Sequence, residues 1–127
     1  MKRAINAIFL VFSIVLAVAI FYISSLNLTA EATRGLKIMP ILYHFGIFFM
    51  LSFSLLAGLM PKKILFLALS LAFVIYALSD EIHQYFVLGR ACTIFDFAVD
   101  SLGILSALIF YSFIILLSQN KNFQIRF

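Results

Sequence analysis

The sequence predicts an all-α membrane protein, a four-transmembrane-helix bundle formed by one domain over residues 1–127. Of the 127 residues, 65% are hydrophobic and 11% are charged, a balance far from that of soluble domains. The apolar residues form four runs, each close to the roughly 20 residues that cross a bilayer. The basic residues stand in ones and twos between these runs, as topology signals do. We therefore expect no nucleic-acid partner, because such a partner needs a continuous basic face.

The first apolar run covers residues 4–23 and follows the basic pair Lys2 and Arg3. The triplet Ala30-Glu31-Ala32 after it resembles a signal-peptidase site. However, the run exceeds the roughly 7–15 apolar residues of a signal peptide, and it is long enough to span a bilayer. We therefore expect it to remain in the protein as the first helix.

The second and third runs are bounded by prolines. Pro40 stands at a predicted helix start, where its missing N–H is tolerated, and the second helix is expected over residues 41–60. The tight basic turn Pro61-Lys62-Lys63 ends this helix. The third helix is expected over residues 64–85, with its apolar part continuing into a polar last turn.

The fourth run follows a short loop over residues 86–93, with Gly89 as its bend. Thr93 is a suitable N-cap because its hydroxyl can accept a hydrogen bond from the first turn. The fourth helix is expected over residues 94–117, and the polar residues 118–127 are expected to fray.

The distribution of basic residues predicts that both termini are cytoplasmic. Six of the nine lysines and arginines lie on the side of the termini, namely Lys2, Arg3, Lys62, Lys63, Lys121 and Arg126. The other side holds only Arg34, Lys37 and Arg90. Because cytoplasmic loops carry the excess of basic residues, the acidic residues fall on or near the outer face.

Ionisable residues are concentrated in one stretch, between Tyr76 and Gly103. Charge inside a membrane segment is costly, so a concentration of this kind indicates a functional site. Helical steps of three and four place its polar residues on shared faces of the third and fourth helices, and the second helix offers a histidine at similar depth. The candidate ligand-binding residues are His44, Asp80, Glu81, His83, Gln84, Arg90, Asp96 and Asp100.

Structural roles compete with this interpretation. Asp96 follows Thr93 by three residues and could only complete a capping box. Asp80 and Glu81 could be interfacial residues at a helix end, where charge costs little. Asp100 lies deeper, where a carboxylate costs about 2.5–3.5 kcal/mol, so it must be protonated or paired with Arg90 or a neighbour.

The sequence predicts no metal site and no cofactor. The single cysteine, Cys92, excludes an internal disulfide, and no Cys/His cluster has the spacing of a structural zinc site. His44 and His83 fit interhelical hydrogen bonds better than metal coordination. Gly103 and Ala107 form a small-xxx-small seam, which indicates a helix-packing contact.

The chain resembles the VanZ-like family of small bacterial membrane proteins, named after a protein associated with low-level resistance to teicoplanin. The similarity lies in Asp80-Glu81-x-His83-Gln84-x-Phe86, Gly89-Arg90-x-x-Thr93-x-x-Asp96 and Asp100-x-x-Gly103, and further in Ser24-Ser25-Leu26 and His44-Phe45. The chain departs from the family pattern at Asn27 (often proline), at Pro40-Ile41 (usually an Asp-Lys pair) and at Asp100 (commonly asparagine).

The resemblance implies a multi-pass protein of the bacterial cytoplasmic membrane that acts in the cell envelope. We expect its outer-leaflet pocket to bind a lipid-linked or glycopeptide-like ligand and to influence glycopeptide (teicoplanin) resistance. The guanidinium of Arg90 would meet an anionic headgroup. One alternative is a hydrolase or transferase acting on a lipid head group through paired carboxylates and a histidine, although no catalytic set is recognisable. Another is a small proton-coupled transporter, although the polar groups cluster at one face only.

The predicted topology places Cys92 outside the membrane. A membrane-impermeant maleimide should therefore label Cys92 on intact spheroplasts, because the loop before the fourth helix faces outward when both termini are inside. Labelling that requires cell lysis would show that the topology is the reverse of the predicted one.

Overall fold

In the computed structural model the protein is all-helical. The structure describes residues 2–26, 38–90 and 93–124. Its helices are α1 (Lys2–Ser24), α2 (Ile38–Leu59), α3 (Lys63–Tyr85) and α4 (Ile94–Gln124). All four are long and apolar enough to cross a membrane, which confirms the predicted fold class. The cytoplasmic position of the termini stays a prediction. The Ala30-Glu31-Ala32 triplet and Cys92 lie outside the described residues.

Two helix boundaries differ from the predicted ones by more than two residues. Helix α2 begins at Ile38, so Pro40 lies inside its first turn. Proline is tolerated there because the first four N–H groups of a helix have no partner within it. Helix α4 continues through Gln124 instead of fraying from Ser118. The end of an apolar run marks where lipid contact can end, whereas the helix itself continues until a residue such as glycine or proline breaks it.

Helices α2 and α4 form the most extensive helix pair of the bundle. Helix α2 also packs along α1, while α3 packs mainly on α4 and to a lesser extent on α1. The α2–α4 pair is parallel, since His44 contacts Asp100 near one end and the ring of Phe53 meets that of Phe110 further along. Two helices that are not consecutive in the chain therefore form the centre of the fold.

Helices α3 and α4 are antiparallel neighbours, as the short loop between them predicts. Glu81 contacts Thr93 beside the loop, and the ring of Phe66 stacks on Tyr111 toward the far end. The end of the bundle where α1 and α3 finish and α2 and α4 start is called the polar end below, because its buried polar side chains come from all four helices.

The middle of the bundle is an apolar core, and its outer surface is also apolar. The largest fully buried side chains include Phe48, Ile20, Leu56 and Ile104. Large aliphatic and aromatic side chains are exposed along all four helices. An exposed apolar surface of this extent fits a protein whose surroundings are hydrocarbon and not water.

Gly103 allows the backbones of α2 and α4 to approach closely. A Cβ atom at this position would collide with the backbone carbonyl oxygen of Phe45. Ala107, one turn further along, is 0% exposed. The predicted packing role of the Gly103 and Ala107 seam is therefore confirmed for its glycine, which contacts the α2 backbone directly.

Substitution at this contact should separate the two helices. We expect Gly103→Ala to destabilise the protein by about 1–3 kcal/mol, because the new methyl group meets a backbone atom that cannot move alone. Gly46→Ala is the matched control, since a Cβ at Gly46 meets nothing within 4 Å. The control should be neutral or stabilising by up to about 1 kcal/mol. The free energy of unfolding of both variants is measured in detergent micelles. Equal changes in the two variants would contradict the close helix contact at Gly103.

Candidate functional site

The polar end contains a buried polar cluster to which every helix contributes. Its members are Ser24 of α1, His44 of α2, Asp80, Glu81 and Gln84 of α3, and Asp100 of α4. At 1.5 Å per residue, the positions of His44 and Asp100 lie about 9 Å below the starts of their helices, and Glu81 lies about 6 Å below the end of α3. The sequence predicts contributions from α2, α3 and α4, and the structure adds α1.

Asp80 joins α1 to α3. Its Oδ1 accepts a 2.6 Å hydrogen bond from the hydroxyl of Ser24, and its Oδ2 accepts a 2.8 Å bond from Nε2 of Gln84. Both carboxylate oxygens thus have donors, and the residue is only 6% exposed. Asp80 is therefore a buried residue that links α1 to α3.

His83 makes a second contact between α1 and α3, closer to the surface. Its Nε2 shares a 2.9 Å hydrogen bond with the hydroxyl of Ser25. The ring of Phe21 stacks on the imidazole at a centroid distance of 4.6 Å. The sequence pattern does not predict a site role for Ser24 or Ser25, although the Ser24-Ser25-Leu26 triplet is part of the family resemblance.

Asp100 is paired with His44 across the parallel α2–α4 contact. The His44 Nδ1 and Asp100 Oδ1 atoms are 2.9 Å apart. The two residues are 7% and 0% exposed, so this pair is withdrawn from solvent. The sequence required a partner for Asp100, and the structure supplies His44 from a different helix in place of Arg90.

Glu81 connects α3 to the start of α4. Its Oε2 accepts a 3.2 Å hydrogen bond from the backbone N–H of Thr93. The Thr93 hydroxyl in turn accepts a 3.0 Å bond from the N–H of Asp96, which confirms Thr93 as the N-cap of α4. In a capping box the Thr93 N–H would bond the Asp96 side chain, but here it bonds Glu81. The alternative in which the Asp96 carboxylate completes a capping box is therefore wrong.

His44, Glu81 and Asp100 converge in one place. Each offers one atom capable of binding a cation, and these atoms lie within 4.8 Å of one another. The Oε1 of Glu81 and the Oδ2 of Asp100 are buried and have no hydrogen-bond partner in the described part of the chain. Buried polar atoms are usually paired, so these two oxygens are free to accept an additional donor or to bind a cation.

Arg90 lies at the edge of the cluster, in the loop between α3 and α4. Gly89 directly before it has a φ of 82°, a conformation that turns the chain and that glycine adopts without strain. The Nε of Arg90 is buried without a partner among the described residues. Arg90 and Asp96 form no ion pair, since the ion pair found within the described ranges joins His44 to Asp100.

These features define a class of protein: a small all-helical membrane protein with a buried polar cluster at one end of its bundle. The chain belongs to the VanZ/LLP1 family, whose sequence profile matches residues 7–117. The match confirms the resemblance and covers all eight candidate residues. Comparisons with curated proteins and with solved structures found no match.

The His44–Asp100 pair should show energetic coupling in a double-mutant cycle. We expect His44→Gln and Asp100→Asn to be non-additive in unfolding free energy by about 0.5–3 kcal/mol, because the two side chains share one buried bond. The control cycle combines Asp100→Asn with His83→Gln, whose partners are Ser25 and Phe21. This second cycle should be additive within about 0.5 kcal/mol. Additivity in both cycles would show that the buried pair contributes no mutual stabilisation.

Proposed function

We propose that this protein resides in the bacterial cytoplasmic membrane and binds the headgroup of an envelope amphiphile at its polar end. The ligand is an anionic lipid-linked or glycopeptide-like molecule. One observation carries this proposal: at the polar end, three buried polar atoms, on Glu81, Arg90 and Asp100, have no partner among the described residues. Leaving such a group unpaired costs about 1–3 kcal/mol. A ligand that pairs with these atoms recovers that free energy on binding.

The chemistry of the three atoms specifies the headgroup. The Nε–H of Arg90 is a donor, and a guanidinium fits phosphate or carboxylate in a bidentate geometry. The free oxygens of Glu81 and Asp100 are acceptors and suit the hydroxyl or amino groups of a sugar or peptide. A headgroup that combines an acidic group with such donors satisfies all three residues.

The topology supports an outer-leaflet site. If the side with six of the nine basic residues is cytoplasmic, the polar end faces outward. Lipid-linked envelope precursors and glycopeptides would meet the protein on that side. Membership of the VanZ/LLP1 family supports the further proposal that binding there lowers sensitivity to teicoplanin.

A hydrolase or transferase acting on a lipid head group is the second candidate. It is favoured by the 2.9 Å contact of His44 with Asp100, because a carboxylate that orients an imidazole is common in general-base catalysis. No catalytic residue is assigned. Proton-coupled transport has less support, since the buried carboxyl and imidazole groups within the described ranges, those of His44, Asp80, Glu81 and Asp100, all lie at the polar end.

The amphiphile proposal predicts that Arg90→Lys reduces ligand binding about tenfold or more. Lysine retains the charge but loses the planar fork, and a hydrogen bond to a charged group contributes about 1.5–3 kcal/mol. The protein is purified from membranes, and co-purified amphiphiles are quantified by mass spectrometry. Arg3→Lys is the matched control, because Arg3 is exposed at the opposite end of the bundle. Equal loss of ligand in both variants would contradict the proposal.

A second arm of this experiment compares teicoplanin sensitivity with membrane abundance. Asp96→Asn and the Asp96→Asn/Arg90→Lys double variant are included. Thr93 caps α4 without the Asp96 carboxylate, so Asp96→Asn should leave the helix start intact. A functional loss in Asp96→Asn at normal abundance would place this carboxylate in the ligand site. If teicoplanin sensitivity changes only in proportion to membrane abundance in all variants, Arg90 and Asp96 have structural roles only.

A further inference from the structure

We propose that His44, Glu81 and Asp100 form a binding site for a divalent transition-metal ion, with Zn²⁺ as the best-fitting ion. The three residues come from α2, α3 and α4, and their candidate ligand atoms lie within 4.8 Å of one another. They are 7%, 2% and 0% exposed, respectively. The site would therefore be enclosed by the bundle and separated from bulk solvent.

The distances are compatible with coordination after small side-chain movements. Zinc bonds of about 2.0–2.2 Å place two ligand atoms of a tetrahedral ion about 3.3–3.6 Å apart. The present separations must therefore contract by at most roughly 1.5 Å. Rotation of the Glu81 side chain can supply part of this, because its Oε1 has no partner within the described residues and its Oε2 holds one 3.2 Å bond, to the N–H of Thr93.

The charges favour a cation at this position. Two buried carboxyl groups stand together, and protonation of His44 could neutralise only one of them. The Oδ1 of Asp100 bonds His44, and the Oε2 of Glu81 bonds Thr93, yet each residue keeps one oxygen without a partner in the described chain. A purely structural role explains the two bonds but, with both carboxyl groups ionised, leaves the two remaining oxygens without a partner. A divalent ion would be coordinated by both free oxygens, and its charge would balance that of the two carboxylates.

The donor set selects the type of metal. One imidazole nitrogen and two carboxylate oxygens suit Zn²⁺, whereas Mg²⁺ and Ca²⁺ prefer oxygen alone. Three protein ligands leave a coordination position open, as in catalytic zinc sites. This position is available to water or to an acidic oxygen of a ligand. The metal site does not require that the amphiphile proposal is correct, but it uses the two oxygens that the proposed function assigns to headgroup donors. With the ion bound, the headgroup would meet Arg90 and, through its acidic oxygen, the open coordination position.

The test uses the full-length chain without a histidine tag, purified in detergent and stripped with a chelator. Zn²⁺ is added, excess ion is removed by gel filtration, and bound metal is measured by inductively coupled plasma mass spectrometry. We expect about one ion per chain in the unmodified protein. Glu81→Gln and Asp100→Asn should each lower the affinity about tenfold or more. Titration with Co²⁺ adds a visible absorption spectrum that reports the coordination geometry.

Asp80→Asn is the matched control, because Asp80 is a buried carboxylate whose two oxygens already have donors. It should bind the metal as the unmodified protein does. Circular dichroism confirms that each variant is helical, and if one variant fails to fold, His44→Gln and the unmodified protein still decide the result. A folded unmodified protein that binds no stoichiometric Zn²⁺ or Co²⁺ would overturn the inference, as would equal loss in Asp80→Asn.

Arg90→Lys separates this inference from the amphiphile proposal. Arg90 is not one of the three ligands, so this variant should lose the amphiphile and retain the metal. Metal binding without amphiphile binding would contradict only the proposed function. Amphiphile binding without metal binding would contradict only the metal site.

Discussion

The need to pair a buried carboxylate is the constraint on which the rest of the bundle depends. Asp100 lies in an apolar helix and is 0% exposed. A carboxylate at such a depth costs about 2.5–3.5 kcal/mol when it is unpaired. His44 meets this need from α2, and Gly103 nearby lets the two helix backbones approach closely. The parallel α2–α4 contact at the centre of the fold therefore combines one polar pair with one seam of small residues.

Polar contacts also determine how α1 and α3 join this pair. Hydrocarbon side chains have little preference between lipid and a neighbouring helix, so hydrogen bonds and close packing select the partners. Ser24 connects α1 to Asp80, and Glu81 connects α3 to the start of α4. The residues that organise the bundle thus overlap with those proposed to bind a ligand. Substitutions at the polar end must therefore be judged by protein abundance as well as by activity.

Satisfied and unsatisfied atoms are distributed unevenly within the cluster. Asp80 has donors on both oxygens, whereas Glu81 and Asp100 each have one free oxygen among the described residues. A fold that needed these groups only for packing would gain by pairing every atom. Buried polar atoms without a partner in the protein are expected at binding sites, because the ligand then supplies the missing partner. This contrast separates a structural half of the polar end from a half suited to binding.

The sequence by itself determined the spanning helices, the antiparallel α3–α4 neighbours and the stretch where polar residues gather. These features follow from apolar run length, loop length and composition, which are local properties. Only the tertiary structure decided the partners: His44 for Asp100, Ser24 for Asp80, and Thr93 for Glu81. Helical periodicity places a residue on a face, but it does not specify which helix that face meets. For the His44–Asp100 and Ser24–Asp80 contacts that choice depends on the packing of nonconsecutive helices, which a single sequence does not encode in any local pattern.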